Sequence, residues 1–120
     1  MAFDHEKLDC YRLAIEFIAS VGVLLDERAR VAKPSALKHL DEASTSIALN
    51  IADGNGKRSV MDRARFLDIA RGSALESAAC LDVLVARKHL TPFDLQPGKE
   101  RLLRIVSMLT KLIERLVVSS

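Results

Sequence analysis

Tryptophan is absent from this chain and aromatic residues make up only 4% of it, so any core it builds must be aliphatic. Such a composition suits helices packed on helices. Cysteine is scarce as well. Cys10 and Cys80 both fall among apolar neighbours on helical segments, which fits buried free thiols and argues against a disulfide framework or a metal site. Free thiols point to a reducing compartment, and a cytoplasmic location is expected. No basic stretch precedes the first apolar run, and Glu16 breaks that run, so neither a signal peptide nor a membrane span is expected. His5, His39 and His89 are scattered and form no Glu-x-x-His motif, which leaves a di-metal bundle without ligands. With no nucleophile and base at useful spacing, the chain is expected to be no enzyme, to need no cofactor and to take no small-molecule substrate. A surplus of one charge is missing too. Eighteen Lys+Arg stand against 16 Asp+Glu, a net +2, so nucleic-acid binding would need local clustering or repetition through an oligomer.

No segment alternates with period two between turn residues, so no strand is expected. Helical spacing is what remains, in four segments. The 120 residues suffice for one core, and a single domain spanning residues 1–120 is expected. In the first segment, from about residue 6 to residue 28, Leu8, Tyr11, Ile15, Ile18 and Leu25 recur on one face, with Ala14, Phe17, Val21 and Leu24 beside them and Asp4 as N-cap. Arg28, Arg30 and Lys33 suit its far end. Ser35 is expected to cap a second helix with the stripe Leu37, Leu40, Ser44, Ile47, Ala48 and Ile51, stopping at a left-handed Gly54. Ser59 and Asp62 resemble a capping box opening a third helix near Val60, with the stripe Phe66, Ile69, Ala70, Ser73, Ser77, Cys80, Leu81 and Leu84, lasting to about Lys88. Thr91 and Pro92 read as the start of a fourth helix, although Pro97 and Gly98 place its regular part from about Gln96 onward. It is strongly apolar from Leu102 through Val117. Short connections favour antiparallel neighbours, hence an all-α, up-down-up-down four-helix bundle.

Residues 44–77 depart from ordinary helical composition in two ways. Ala, Ser and Gly occupy faces where Leu would be usual, which lets the second and third helices approach closely, and positive charge gathers at the turn between them. Antiparallel pairing of the second and third helices about the turn puts Asn50 roughly level with Arg63, where it can bond the backbone of the loop, so Asn50, Asp53, Gly54, Gly56 and Ser59 are expected to shape the turn. Lys57, Arg58, Arg63, Arg65 and Arg71 surround it, interrupted by Asp62 and Asp68, and phosphate is their natural ligand. The plainer alternative is a solvated face with Arg65 and Asp68 paired along the helix. Gly54-x-Gly56-Lys57-x-Ser59 is no NTPase phosphate loop, because its spacing is wrong and a helix precedes it. Glu76 lies beside the core stripe, where a partly buried carboxylate would need Lys38 or a cation of the fourth helix. Leu49, Leu67, Leu75, Val85, Leu103 and Met108 widen the apolar faces beyond what one bundle needs, which points to self-association.

The central stretch resembles the bacterial four-helix-bundle proteins called 23S-rRNA-intervening-sequence proteins. The resemblance rests on Ser46-Ile47, on Asn50-Ile51-Ala52-Asp53-Gly54 with Gly56-Lys57-Arg58-Ser59, and on Phe66-Leu67, Ile69-Ala70, Gly72-Ser73 and Glu76, with residues 7–14 similar to the family's first helix. Asp53 stands where the family more often has Glu, and Pro97-Gly98 is unlike its usual last helix. The resemblance implies an antiparallel bundle, a homo-oligomer that is a ring of five subunits, and a link to RNA or a ribonucleoprotein. A related branch, accessory proteins of diversity-generating retroelements, is similar in fold but more basic. The expected function is a non-enzymatic, self-associating bundle contacting RNA phosphates through the basic turn; no aromatic is expected on the surface, so base stacking is not expected. The alternative is an oligomeric protein–protein adaptor without nucleic-acid contact.

Overall fold

The computed structural model describes residues 3–28 and 34–119. A 3-10 segment, Asp4–Lys7, precedes four helices: α1 (Asp9–Arg28), α2 (Pro34–Gly56), α3 (Val60–Ala86) and α4 (Pro92–Ser119). Each helix packs on its chain neighbours, and α1 closes the ring on α4. The result is the all-α, antiparallel four-helix bundle expected from the spacing, 47 × 29 × 22 Å in extent. Four apolar stripes meet in one core, whose fully buried members include Ala14, Leu40, Ile47, Ile51, Ala70, Ala74, Ile105 and Leu109.

The stripe of α2 lies where the spacing puts it, with Leu37, Leu40, Ser44, Ile47, Ala48 and Ile51 all buried. On α1 the face is rotated. Cys10, Leu13, Ala14, Phe17 and Val21 form its centre, while Ile15 is left exposed. On α3, likewise, Leu67 and Ala74 are buried and Ile69 is exposed. A broad apolar face tells a periodicity argument that a face exists, but partners on two sides decide where its centre lies.

Helix ends differ more. Asp4 belongs to the 3-10 segment rather than capping α1, which begins at Asp9 where the Arg12 amide donates to the Leu8 carbonyl at 3.1 Å. Pro34 opens α2, so Ser35 is an interior residue and not its cap; Arg30 and Lys33 lie outside the described residues. Gly54 does not end α2, which runs on to Gly56, and no described glycine has a positive φ. At the far end of α3 it is Lys88 that takes the left-handed conformation, at φ 64°, while the His89 amide reaches the Leu84 carbonyl at 2.8 Å. The α4 helix is continuous from Pro92 through Pro97. Thr91 and Asp94 cap it reciprocally, the Asp94 amide donating to Thr91 Oγ1 at 3.1 Å and the Thr91 amide to Asp94 Oδ2 at 3.2 Å. Pro97 removes only the bond to the Phe93 carbonyl, on an exposed first turn that water can serve.

Small residues govern the α2–α3 seam. Ser46 and Ser73 hydroxyls meet across it at 2.8 Å, and Ser77 Oγ donates to the Ser73 carbonyl at 2.9 Å, so burial leaves neither pair unsatisfied. Counting four residues in opposite directions from the Ser46–Ser73 contact brings Asn50 level with Ile69, not Arg63. The register shifts because α2 continues through Gly54. A methyl group on Gly54 would lie 3.0 Å from Phe66 Cβ and 3.3 Å from the Arg63 carbonyl oxygen; glycine is needed there for close approach, not for a turn.

Candidate nucleic-acid interface

Antiparallel alternation brings four features to one end of the bundle: the 3-10 segment, the C-terminus of α2, the N-terminus of α3 and the C-terminus of α4. Only residues 57–59 separate α2 from α3, and they are tightly bonded. The Lys57 amide donates to the Gly54 carbonyl at 3.2 Å, and the Arg63 amide to the Ser59 carbonyl at 3.0 Å. Ser59 Oγ caps α3 by accepting from the Asp62 amide at 3.3 Å. The side chain of Arg63 donates through Nε to the Lys57 carbonyl, turning one cation of the group inward as a brace.

Phe66 organises the remainder. Lys57 Nζ lies 4.6 Å and the Arg65 guanidinium 4.7 Å from the centroid of its half-buried ring. One ring thereby holds two like charges, each by its own cation–π contact. Asp62, 3.7 Å from Arg65, offsets part of their repulsion, whereas Asp68 is not the partner. Arg58, next to Lys57 in the chain, is exposed. Arg71 does not join the group. It stands about 12 Å along α3 from Arg63, where its Nε donates to Thr110 Oγ1 at 2.9 Å, and Thr110 in turn donates to the Val106 carbonyl at 2.8 Å. Arg71 therefore clamps α3 to α4.

Asn50 corrects the reading of the turn. Its Nδ2 donates to the Ser46 carbonyl and to Ser46 Oγ, both at 2.9 Å, so it braces the hydroxyl pair within the helix seam instead of bonding loop backbone. Asp53 is exposed near it, and Gly56 is the last residue of α2, with open space where a side chain would be. Glu76 is exposed rather than partly buried, and Lys38 pairs with Glu42 at 4.0 Å.

Two further parts of this end escape sequence reasoning. Asn55 Nδ2 donates to Asp4 Oδ2 at 3.0 Å, fastening the 3-10 segment to the basic turn across 51 positions of chain. Aromatic rings come with it: Phe3 stacks on His5 with centroids 5.9 Å apart and planes 8° from parallel, and His5 meets the edge of Tyr11 at 4.8 Å. Phe3 is 74% exposed, which overturns the expectation that no aromatic would be available on the surface. On the other flank, Lys7, Lys111 and Arg115 rim a cavity of about 310 Å³ with Leu8, Met108 and Leu112 in its wall. No local pattern in the sequence signals the Asn55–Asp4 bond or the Lys7–Lys111–Arg115 rim, since each joins segments distant in the chain, whereas Phe3, His5 and Tyr11 lie within nine residues of one another.

Burial pushes the Cys10 thiol above its ordinary value, and burial together with the Glu76 carboxylate does the same to Cys80, opposite to what a thiolate nucleophile requires. Among the described residues no group of three or more His, Cys, Asp or Glu side chains could hold a metal ion.

A tightly bonded basic turn between helices packed through small residues is now joined by a match that spans most of the sequence: residues 6–111 fit the model of the 23S rRNA-intervening sequence protein family. The chain belongs to that family. No curated protein matches it. Among solved structures, a protein of unknown function from the S23 ribosomal protein family of Bacteroides thetaiotaomicron is similar in fold, with a TM-score of 0.79 at 20% identity over 87% of this chain and 97% of that one. In this 23S rRNA-intervening sequence protein no described helix is long and apolar enough to cross a membrane. Of the apolar residues assigned to a self-association surface, Leu49, Leu75 and Leu103 are exposed. Leu67 is not; it is 4% exposed and belongs to the chain's own core, with its side chain lying against Gly54 of α2. Val85 and Met108 are partly buried against the same core.

Proposed function

We propose that this 23S rRNA-intervening sequence protein is a non-catalytic, self-associating bundle whose basic end contacts RNA, free or within a ribonucleoprotein, through phosphates. The observation that carries the reading is the pairing of Lys57 and Arg65 on one Phe66 ring, with Arg58, next to Lys57 in the chain, exposed. Arg63 is spent on the loop backbone and Arg71 on α4, so the phosphate contacts fall to Lys57, Arg58 and Arg65. Three cations give little affinity alone, and self-association would repeat them. Filter binding of RNA across a salt series tests the proposal. Exchanging Lys57 and Arg58 for Glu removes two contacts and should lower the slope of log K against log salt by about 1.4 for a single strand. Salt-insensitive retention, or a slope untouched by the exchange, would sink it.

The near balance of charge, 18 cations against 16 carboxylates, supports a second reading as a protein–protein adaptor. A protein partner retained on the bundle after nuclease treatment would favour that reading.

A further inference from the structure

We infer that the 3-10 segment is a base-stacking platform, so that the basic end takes single-stranded in preference to double-stranded RNA, with a nucleobase on Phe3 and the adjoining phosphates on Lys7 and the α2–α3 turn. This inference rests on the RNA reading above and adds a second kind of contact to it. Phe3 is the feature that needs explaining. A large apolar ring that is 74% exposed is nevertheless held in place, one face against His5, which is itself braced by the half-buried Tyr11. The backbone beneath is fixed as well: the Phe3 amide donates to Glu6 Oε2 at 2.8 Å, the Glu6 amide returns to the Phe3 carbonyl at 3.1 Å, and Arg12 Nε donates to the Glu6 carbonyl at 3.1 Å. The segment's two carboxylates stay anionic, and each is held by a neutral donor of the protein, which fixes where its charge lies. Asp4 accepts from Asn55 of the basic turn, and Glu6 accepts from the Phe3 amide. Lys7 on the same segment remains exposed.

Cations beside an oriented, half-open ring are the two requirements of single-strand recognition, the charges tracking the backbone and the ring offering a π-face to any base. A duplex can satisfy only the first, because its bases are stacked on one another. The reach is short. With Asp4 bonded to Asn55 and the bundle only 29 × 22 Å across its long axis, a strand of a few nucleotides spans ring and turn together.

The test uses the full chain, a labelled oligouridylate and an RNA duplex, each titrated over salt. Phe3→Ala should weaken binding of the single strand roughly tenfold while leaving its salt slope and the duplex affinity unchanged. Phe3→Trp would give the chain its one tryptophan, whose emission should be quenched when oligouridylate is added. Salt-dependent binding of both RNAs, with Phe3→Ala indistinguishable from wild type and the Trp emission unmoved, would remove the platform and leave the phosphate reading standing. Binding of neither RNA by wild type would remove both. Trp emission that changes with protein concentration alone would overturn the platform by assigning the ring to a second copy of the chain.

Discussion

Cys10 and Cys80 show how much a single side chain's surroundings dictate. Each thiol is pushed above the ordinary value of 9.0, mainly by burial. For Cys10 the first-turn amides of Cys10 and Tyr11 act the other way and Asp9 adds to the rise; for Cys80 the second cause is Glu76. Linkage fixes the sign of the consequence. A group whose folded pKa is raised contributes stability that is complete below the unfolded value and fades as pH climbs through the folded one. Urea midpoints should therefore hold level up to about pH 9 and fall above it, the window opening at the unperturbed thiol value. Cys10→Ala should shift the whole curve down, through its lost packing, and flatten the alkaline fall. A variant whose fall parallels that of wild type would show that other groups cause it.

At the scale of elements, two glycines on adjoining helices make opposite demands. Adding a methyl at Gly72, on the outward side of α3, meets nothing within 4 Å, so Gly72→Ala should collect the helix-propensity gain of about 1 kcal/mol. At Gly54 the same methyl presses on Phe66 Cβ and on a backbone oxygen, neither of which can rotate away, and Gly54→Ala should be destabilising by about 1–3 kcal/mol after that gain is deducted. Urea unfolding of the two variants decides the matter; a common sign would mean that the α2–α3 approach is looser than the Ser46–Ser73 distance implies. This pair also marks where sequence reasoning reaches and where it stops. The period of 3.6 residues and the run of Ala, Ser and Gly made the four helices and the close seam legible, because both are local consequences of which side chains recur. Gly54 read as a stop, since a glycine followed by Asn and Gly has the same signature whether it ends a helix or admits a neighbour; only the distance to Phe66 separates the two. Arg71 read as part of the basic group for a related reason. Its partner Thr110 is 39 residues away, and a cation's place in a sequence says nothing of which distant hydroxyl it will meet. The Phe66 ring shared by Lys57 and Arg65 was within reach, because Arg65 is its neighbour in sequence. The 3-10 platform was not, because one bond between Asn55 and Asp4 decides its position.

For the molecule as a whole, the question is what covers the outward side of α3. Ile69, Leu75 and Val83 are each more than two-fifths exposed there, and Gly72 and Ala79 between them leave the surface low enough for another helix to lie close. Leu49 on α2 and Leu103 on α4 are exposed as well, so the excess is not confined to one element. A surface of this kind on a chain of near-balanced charge favours association, and closed symmetry is its usual outcome. Sedimentation should then return a multiple of the 13.2 kDa chain mass at micromolar concentration. Replacing Leu75 and Val83 together by Asp should bring the mass down to that of one chain without loss of helical circular dichroism, because neither side chain belongs to the buried core. The same change should weaken RNA binding on the order of a hundredfold while leaving the contacts of each basic end intact, since affinity assembled from repeated weak sites collapses when the repeats part. Wild type sedimenting as a lone chain near 100 μM would make the outward side of α3 ordinary solvent surface, and the basic end would then have to bind RNA with its own few cations or not at all.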